Sequence, residues 1–202
     1  MLEEIRFDER GLVPCVVQDH ASGEVLTLAY MSEESLRLTL DTGEVHFFSR
    51  SRGEVWHKGE TSGNVLRVRQ LRYDCDGDAI VALVDPAGPA CHTGERSCFF
   101  RAEDGDPEPV AHEALAALER TLADRDEQRP EGSYTARLFA DRALIGDKVA
   151  EEAEEVVRAA REESGDRVSE EAADLLYHLS VLLRSRSVPQ EAVMEVLNGR
   201  RR

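Results

Sequence analysis

The stretch Leu66-Arg67-Val68-Arg69-Gln70-Leu71-Arg72-Tyr73-Asp74-Cys75-Asp76-Gly77-Asp78-Ala79-Ile80-Val81-Ala82-Leu83-Val84 reads as two strands with an acidic junction. Its flanks, Leu66 to Tyr73 and Ala79 to Val84, carry β-branched and apolar residues, and Asp-Gly between such runs is a common hairpin turn. The junction also carries chemistry. Asp74, Asp76 and Asp78 are hard oxygen donors suited to Mg²⁺, whereas the Cys75 thiolate suits zinc. In an extended backbone successive side chains point to opposite faces. That geometry predicts the aspartates on one face and Cys75 on the other. A plain turn and a two-sided metal segment both fit these residues taken alone.

Working outward, the other cysteines are Cys15, Cys91 and Cys98, with His92 directly after Cys91. No pair has the short spacing of a zinc ribbon or finger. Thiolates at Cys75, Cys91 and Cys98 would instead leave a fourth zinc position open, as catalytic zinc sites do. A Cys91–Cys98 disulfide is the competing reading. Against it stand the lack of a signal peptide and a length of 202 residues, enough to build a core without staples. Cys15, in the apolar run Val13-Pro14-Cys15-Val16-Val17, is expected to be a buried small hydrophobe.

The chain carries a formal charge of −16, which argues against nucleic acid or membrane as a partner. Within it, residues 50–72 hold six basic side chains against two acidic ones. Such an island suits a small anionic ligand. Val45 to Arg52 reads as a strand, so Arg50 and Arg52 should face the same way. Lys58-Gly59-Glu60-Thr61-Ser62-Gly63-Asn64 then offers the ammonium, hydroxyl and glycine amides that wrap a phosphate. The plainer alternative is a solvated hairpin with ordinary surface arginines.

Composition shifts near residue 105. Eight of the eleven aromatics and all four cysteines precede it, and Ala, Leu, Glu and Arg dominate residues 106–202. Glu103-Asp104-Gly105-Asp106-Pro107-Glu108-Pro109 between them has the character of a linker. The expected fold class is α+β: a β-rich metal-binding domain over 1–105, a linker over 106–111, and an all-α helical bundle over 112–202. A helix is expected over 32–41, started by Ser32 and ended at Thr42-Gly43. Helices are expected over 112–127, 134–163 with a break near Asp141 or Gly146, 166–186 and 189–198. The bundle is open to completion by dimerisation. No transmembrane or targeting segment is evident, so the expected location is the cytoplasm.

On the helix around residue 150, Glu151 and Glu152 lie four and three positions before Glu155, forming one stripe. On the next, Glu171 and Asp174 precede the apolar run Leu175 to Leu183, interrupted by His178 and Ser180. Carboxylate pairs facing each other across a bundle make a hard-metal site for Mg²⁺. Solvated glutamates on a good helix former are the alternative. Lys148 is suited equally to a phosphate contact or to a salt bridge with Glu152.

These residues carry a resemblance. Ser49-Arg50-Ser51-Arg52, Trp56 to Asn64, Asp74 to Asp78, and Cys91-His92 with Cys98 make the first half similar to phosphoribosyl-AMP cyclohydrolase. Ser133-Tyr134-Thr135, Lys148 with Glu151, Glu152 and Glu155, and Glu171 to His178 make the second half resemble phosphoribosyl-ATP pyrophosphatase, a MazG-like helical enzyme. The likeness covers roughly residues 1–102 and 112–186, in the order of the bifunctional histidine-biosynthesis enzymes. It implies two hydrolyses: phosphoribosyl-ATP to phosphoribosyl-AMP and pyrophosphate, then opening of the adenine N1–C6 bond.

By resemblance, Asp74, Asp76 and Asp78 would bind Mg²⁺, and Cys75, Cys91 and Cys98 would bind zinc, in a homodimer that shares the zinc site between subunits. Glu151, Glu152, Glu155, Glu171 and Asp174 would hold Mg²⁺ against the triphosphate of an ATP-like nucleotide. Arg50, Arg52, Lys58, Ser62, Gly63 and Asn64 would meet the substrate phosphate, and His92 would either shuttle a proton or orient Cys91. A housekeeping nucleotide pyrophosphatase with a dimerising zinc platform, and a non-catalytic metal module, are the competing classes. The second leaves Arg50, Arg52 and the Lys58–Asn64 loop without a purpose.

Overall fold

The computed structural model describes residues 2–105, 107, 108 and 110–201. Met1 and Arg202, and the expected linker positions Asp106 and Pro109, lie outside the described residues. The chain separates into two units, with the division between Glu113 and Ala114. The fold is α+β, a β-rich unit followed by a helical one, as the composition predicts.

The first unit contains β1 (Leu12–Asp19), β2 (Val25–Ser32), α1 (Glu33–Thr42), β3 (His46–Ser49), β4 (Glu54–His57), β5 (Leu66–Tyr73) and β6 (Ile80–Pro86). One sheet has the order β2-β1-β6-β5, and β3 with β4 forms a second, smaller sheet. Among the described residues only β1 and β6 run parallel; the long crossover that a parallel pair requires is supplied by everything between them. Val13, Cys15 and Val17 alternate inward from β1 and meet Leu26, Met31, Phe47, Ile80 and Val84 in a dry core. Burial pushes the Cys15 thiol up to about 12, against a weaker opposing contact from the Ala82 backbone, so it packs as a hydrophobe.

Two bulges shape the unit. On β5, Arg69 is the extra residue between Val68↔Val84 and Gln70↔Leu83. The inward set therefore reads Leu66, Val68, then Leu71, and strict alternation fails midway. On β2, Leu26 is the extra residue between Val17↔Thr27 and Gln18↔Val25. Its carbonyl, released from the ladder, accepts the Cys98 amide at 2.7 Å. Helix α1 begins and ends where expected: Ser32 and Ser35 form a reciprocal cap, and Gly43 closes the helix in the left-handed region at φ 70°.

The expected strand over Val45–Arg52 is cut short. β3 ends at Ser49, and Arg50 to Gly53 form the turn into β4, with the Gly53 amide donating to the Ser49 carbonyl at 2.8 Å. A turn has no two-residue alternation, so the two arginines part. The Arg50 guanidinium stacks 3.9 Å from the Tyr30 ring centre, while Arg52 pairs with Glu54 at 2.8 Å.

The second unit contains α2 (Ala114–Gln128), α3 (Tyr134–Ala140), α4 (Arg142–Glu162), α5 (Gly165–Ser185) and α6 (Gln190–Gly199). The break falls at Asp141, which ends α3 and caps α4 by accepting the Ala143 and Leu144 amides at 3.1 Å each; Gly146 stays helical. Leu122, Leu138, Phe139, Ile145 and Val181 form its core. Leu176 on α5 and Val157 on α4 stay exposed, as do Met194, Val196 and Leu197 on α6. Among the described residues no helix is long and apolar enough to cross a membrane.

Candidate active sites

The β5–β6 junction is a bent loop, not an extended segment, and Gly77 at φ 79° makes the bend. A Cβ at Gly77 would lie 2.1 Å from the Glu4 carbonyl oxygen, and the Gly77 carbonyl accepts the Arg6 amide at 2.7 Å. The loop is thus folded against the N-terminal segment. One carboxylate oxygen from each of Asp74, Asp76 and Asp78 lies within 4.8 Å of the others. Alternation does not produce this convergence; the bend does. Desolvation works against the Asp74 charge, but the Ala79 amide and contacts with Asp78 outweigh it and hold Asp74 below the ordinary range. Its hydrogen bond to Asp74, then the Asp76 and Asp74 charges, push Asp78 up. Crowded carboxylates that perturb one another in this way fit a divalent cation.

Gly77→Ala is expected to destabilise the first unit by at least about 1–2 kcal/mol from left-handed strain alone, with the clash at Glu4 adding to it. Chemical denaturation followed through Trp56 checks this; an unchanged midpoint would contradict the close approach.

Cys75 is exposed in the same loop and belongs to no group of three candidate metal ligands among the described residues. Cys91 and Cys98 are apart from it. Both are free thiols, so the disulfide reading fails here, and both line one cavity of about 580 Å³. The Thr93 hydroxyl donates to the Cys91 sulfur at 3.1 Å and holds its thiol below the usual value. Burial pushes the Cys98 thiol up, and interaction with Cys91 adds to that. Cys91 is therefore the readier thiolate. Lys58 is buried at the same place: desolvation lowers its ammonium and the Cys98 and Cys91 sulfurs act to raise it. Two facing thiols beside a cation fit a soft metal such as zinc, with further ligands needed.

The same cavity is lined by Arg52, Lys58, Ser62, Asn64 and His92, but not by Arg50 or Gly63. Gly59 (φ 93°) turns the loop so tightly that a Cβ there would meet the Asn64 carbonyl carbon at 2.5 Å. That turn brings the Asn64 carbonyl to 3.4 Å from the Lys58 Nζ. His92 is exposed, its Nδ1 3.9 Å from the Cys91 sulfur. Phe47, Trp56 and Leu28 supply apolar wall, a surface on which a purine can stack. In the sequence Trp56 stands out only as part of its motif, and Leu28 gives no signal beyond its position on β2.

In the second unit, Glu152 and Glu155 on α4 and Glu171 on α5 bring one carboxylate oxygen each within 4.8 Å. Glu151 and Asp174 are exposed and lie outside this group. Lys148 pairs with Glu151 at 2.7 Å, not with Glu152, because Glu151 points outward to the helix face that Lys148 occupies. Glu152 is buried, and desolvation pushes its carboxyl up, offset in part by His178 and reinforced by Asp174 and Glu155. Arg167 pairs with Glu171. His178 places Nδ1 3.0 Å from the Asp174 carbonyl and 3.4 Å from Glu152, and Nε2 3.0 Å from the Tyr134 hydroxyl. A carbonyl only accepts, so Nδ1 carries the proton. Thr135 and Tyr177 join α3 to α5 again at 2.7 Å. These contacts hold Tyr134 and Thr135 of α3 against Tyr177 and His178 of α5, and His178 in turn reaches Glu152. Carboxylates from two packed helices with a buried member fit a hard cation.

Two family models match the chain in tandem: phosphoribosyl-AMP cyclohydrolase over residues 27–100 and phosphoribosyl-ATP pyrophosphohydrolase over residues 115–201. The histidine biosynthesis bifunctional protein HisIE of Bacillus subtilis strain 168 is 51% identical over 199 residues, covering 98% of this chain and 95% of the relative. The chain belongs to the HisIE family. The HisIE proteins of Halalkalibacterium halodurans (49% over 207 residues, 100% of this chain and 97% of the relative) and Pyrococcus furiosus (46% over 209 residues, 100% and 98%) align just as fully. This HisIE chain is a bifunctional hydrolase of histidine biosynthesis, with its cyclohydrolase half first and its pyrophosphohydrolase half second. The cavity with Cys91 and Cys98 lies in the first half and the Glu152 group in the second.

Proposed function

We propose that the second domain, residues 112–202, acts first and the first, residues 1–105, acts on its product, with residues 106–111 as linker. Water attacks the triphosphate of phosphoribosyl-ATP, the bond between the α- and β-phosphates breaks, and pyrophosphate leaves. Glu152, Glu155 and Glu171 form the centre of this site, with Glu151 and Asp174 as outer acids that reach a cation through water or by side-chain rotation. Mg²⁺, when bound there, neutralises phosphate oxygens and polarises the bond to be broken. Buried Glu152 supports this reading, since a raised carboxyl beside further acids has little reason to be there without a cation. Lys148 screens Glu151 and stands ready to exchange that partner for a phosphate.

Phosphoribosyl-AMP then enters the cavity of the first domain, its base against Trp56 and its phosphate toward Arg52, Lys58, Ser62 and Asn64. Gly63 shapes that loop, and Arg50, held on Tyr30, is the outermost of the cationic set. Water adds at C6 and the N1–C6 bond breaks, giving the formimino-carboxamide ribotide. Cys91 and Cys98 hold zinc, a Lewis acid that lowers the pKa of water. Cys75 of the partner subunit completes the set in a homodimer, which accounts for its isolation in a single chain. Asp74, Asp76 and Asp78 would hold Mg²⁺. His92, which lines the cavity, carries the proton between water and the leaving ring nitrogen in this reading. The reactions need small molecules only, with neither nucleic acid nor membrane, and suit the cytoplasm.

The observation carrying this proposal is the gathering of two thiols, a lysine and an aromatic wall in one cavity. Its test is mass-spectrometric product analysis of the purified chain given phosphoribosyl-ATP, Mg²⁺ and Zn²⁺. Pyrophosphate with a ring-opened product is expected. Accumulated phosphoribosyl-AMP overturns the cavity assignment, and cleavage of ordinary nucleoside triphosphates alone overturns the substrate assignment.

A further inference from the structure

The segment from Ala87 to Cys98 has no helix or strand of its own, yet it must present two thiols at a fixed separation. Its internal backbone bonds are local: the Ala90 amide donates to the Arg96 carbonyl at 3.0 Å, the Cys91 amide to the Glu95 carbonyl at 3.0 Å and the Gly94 amide to the Cys91 carbonyl at 3.2 Å. Its start is tied to the loop before β5, where the Ala87 amide donates to the Val65 carbonyl at 2.9 Å, and its end is tied to the β1–β2 hairpin through three consecutive residues. Arg96 places Nε 2.5 Å from Glu24 and Nη2 2.6 Å from Asp19. The Ser97 hydroxyl donates to the Val25 carbonyl at 2.8 Å. The Cys98 amide takes the Leu26 carbonyl that the bulge sets free.

Asp19 is itself held on its other side. It is buried, and its other oxygen accepts the Ala21 and Ser22 amides at 2.9 and 2.8 Å. Burial works against the Arg96 charge, but the Glu24 and Asp19 carboxylates outweigh it and hold the guanidinium above its ordinary value. Arg96 is not among the residues that line the cavity. A planar guanidinium can hold two carboxylates at once with defined angles, which an ammonium cannot do as well.

We propose that Arg96 is a positioning residue for the zinc ligands: bridging Asp19 and Glu24, it locks the Cys91–Cys98 loop to the β1–β2 hairpin at the separation the metal needs. This rests on the reading above that Cys91 and Cys98 hold zinc. Residues that orient metal ligands typically contribute about 10–100-fold in metal affinity, and Arg96 acts through the loop backbone in the same sense. The clamp predicts weakened zinc binding with the chemistry intact once the site is filled.

The experiment compares the full chain with Arg96→Ala, Arg96→Lys and Glu24→Ala by zinc competition against a chromophoric chelator. Pyrophosphate release is followed in parallel as a control from the other domain. Arg96→Ala is expected to bind zinc about 10–100-fold more weakly, to recover ring opening at saturating zinc with unchanged KM, and to release pyrophosphate at the parental rate. Arg96→Lys should fall between. Parental zinc affinity in Arg96→Ala overturns the clamp. If the parent chain takes up no zinc, the metal reading itself fails and the clamp falls with it. Should Arg96→Ala not fold, Glu24→Ala decides, since it keeps the Asp19 bridge: weakened zinc supports the clamp and parental affinity overturns it.

Discussion

Replacing Cys91 with alanine is expected to remove zinc and ring opening together while pyrophosphate release continues at the parental rate. Cys91 is buried, lines the cavity and receives the Thr93 hydroxyl, which favours the thiolate that a metal requires. Cys98, whose thiol burial holds up, ionises less readily and follows. Structural zinc sites gain about 10–16 kcal/mol from four ligands. One ligand is then worth on the order of 3 kcal/mol, more than about a hundredfold in affinity. Metal analysis per chain and product analysis from supplied phosphoribosyl-AMP check both halves of the expectation. Undiminished ring opening in a zinc-free protein removes zinc from the account. Loss of pyrophosphate release as well removes the division of labour between the domains.

Thiol chemistry was legible in the sequence because cysteines are few and their types unambiguous; how they gather was not. Cys75, Cys91 and Cys98 look equivalent as letters, but the bent loop after β5 carries Cys75 away from the cavity that receives the other two. The aspartates show the converse. Alternation along a strand predicts their convergence for a reason that does not hold, and Gly77, a turn residue in either reading, produces it instead. Arg50 and Arg52 part because a hairpin turn replaces the end of a strand, and no periodicity marks that replacement. Helices fare better, since caps are local: Ser32, Gly43 and Asp141 act where their chemistry dictates. Arg96 gives no signal in the sequence because its partners, Asp19 and Glu24, lie 77 and 72 residues away and only the folded sheet brings them near. The choice among Glu151, Glu152 and Glu155 was likewise invisible, because spacing gives a stripe but not the angle at which α5 meets it.

That angle makes Glu152 the position with the next largest expected effect. Glu152→Gln should abolish pyrophosphate release from phosphoribosyl-ATP while leaving ring opening of supplied phosphoribosyl-AMP unchanged. The substitution keeps size and hydrogen-bonding capacity, so His178 and Tyr134 retain their contacts, and what disappears is one negative charge. A unit charge about 4 Å from another is worth roughly 4 kcal/mol at a surface-like dielectric, equivalent to about a thousandfold in rate. The fold should not suffer. Desolvation already pushes the Glu152 carboxyl up, so removing the buried charge leaves the metal-free melting temperature level or higher. Glu151→Gln separates the two kinds of acid: exposed and paired with Lys148, it should lower the rate far less. Comparable losses in both variants would mean that the whole stripe, not the buried group, holds the cation. Undiminished turnover in Glu152→Gln would place the pyrophosphate chemistry elsewhere on the helical domain.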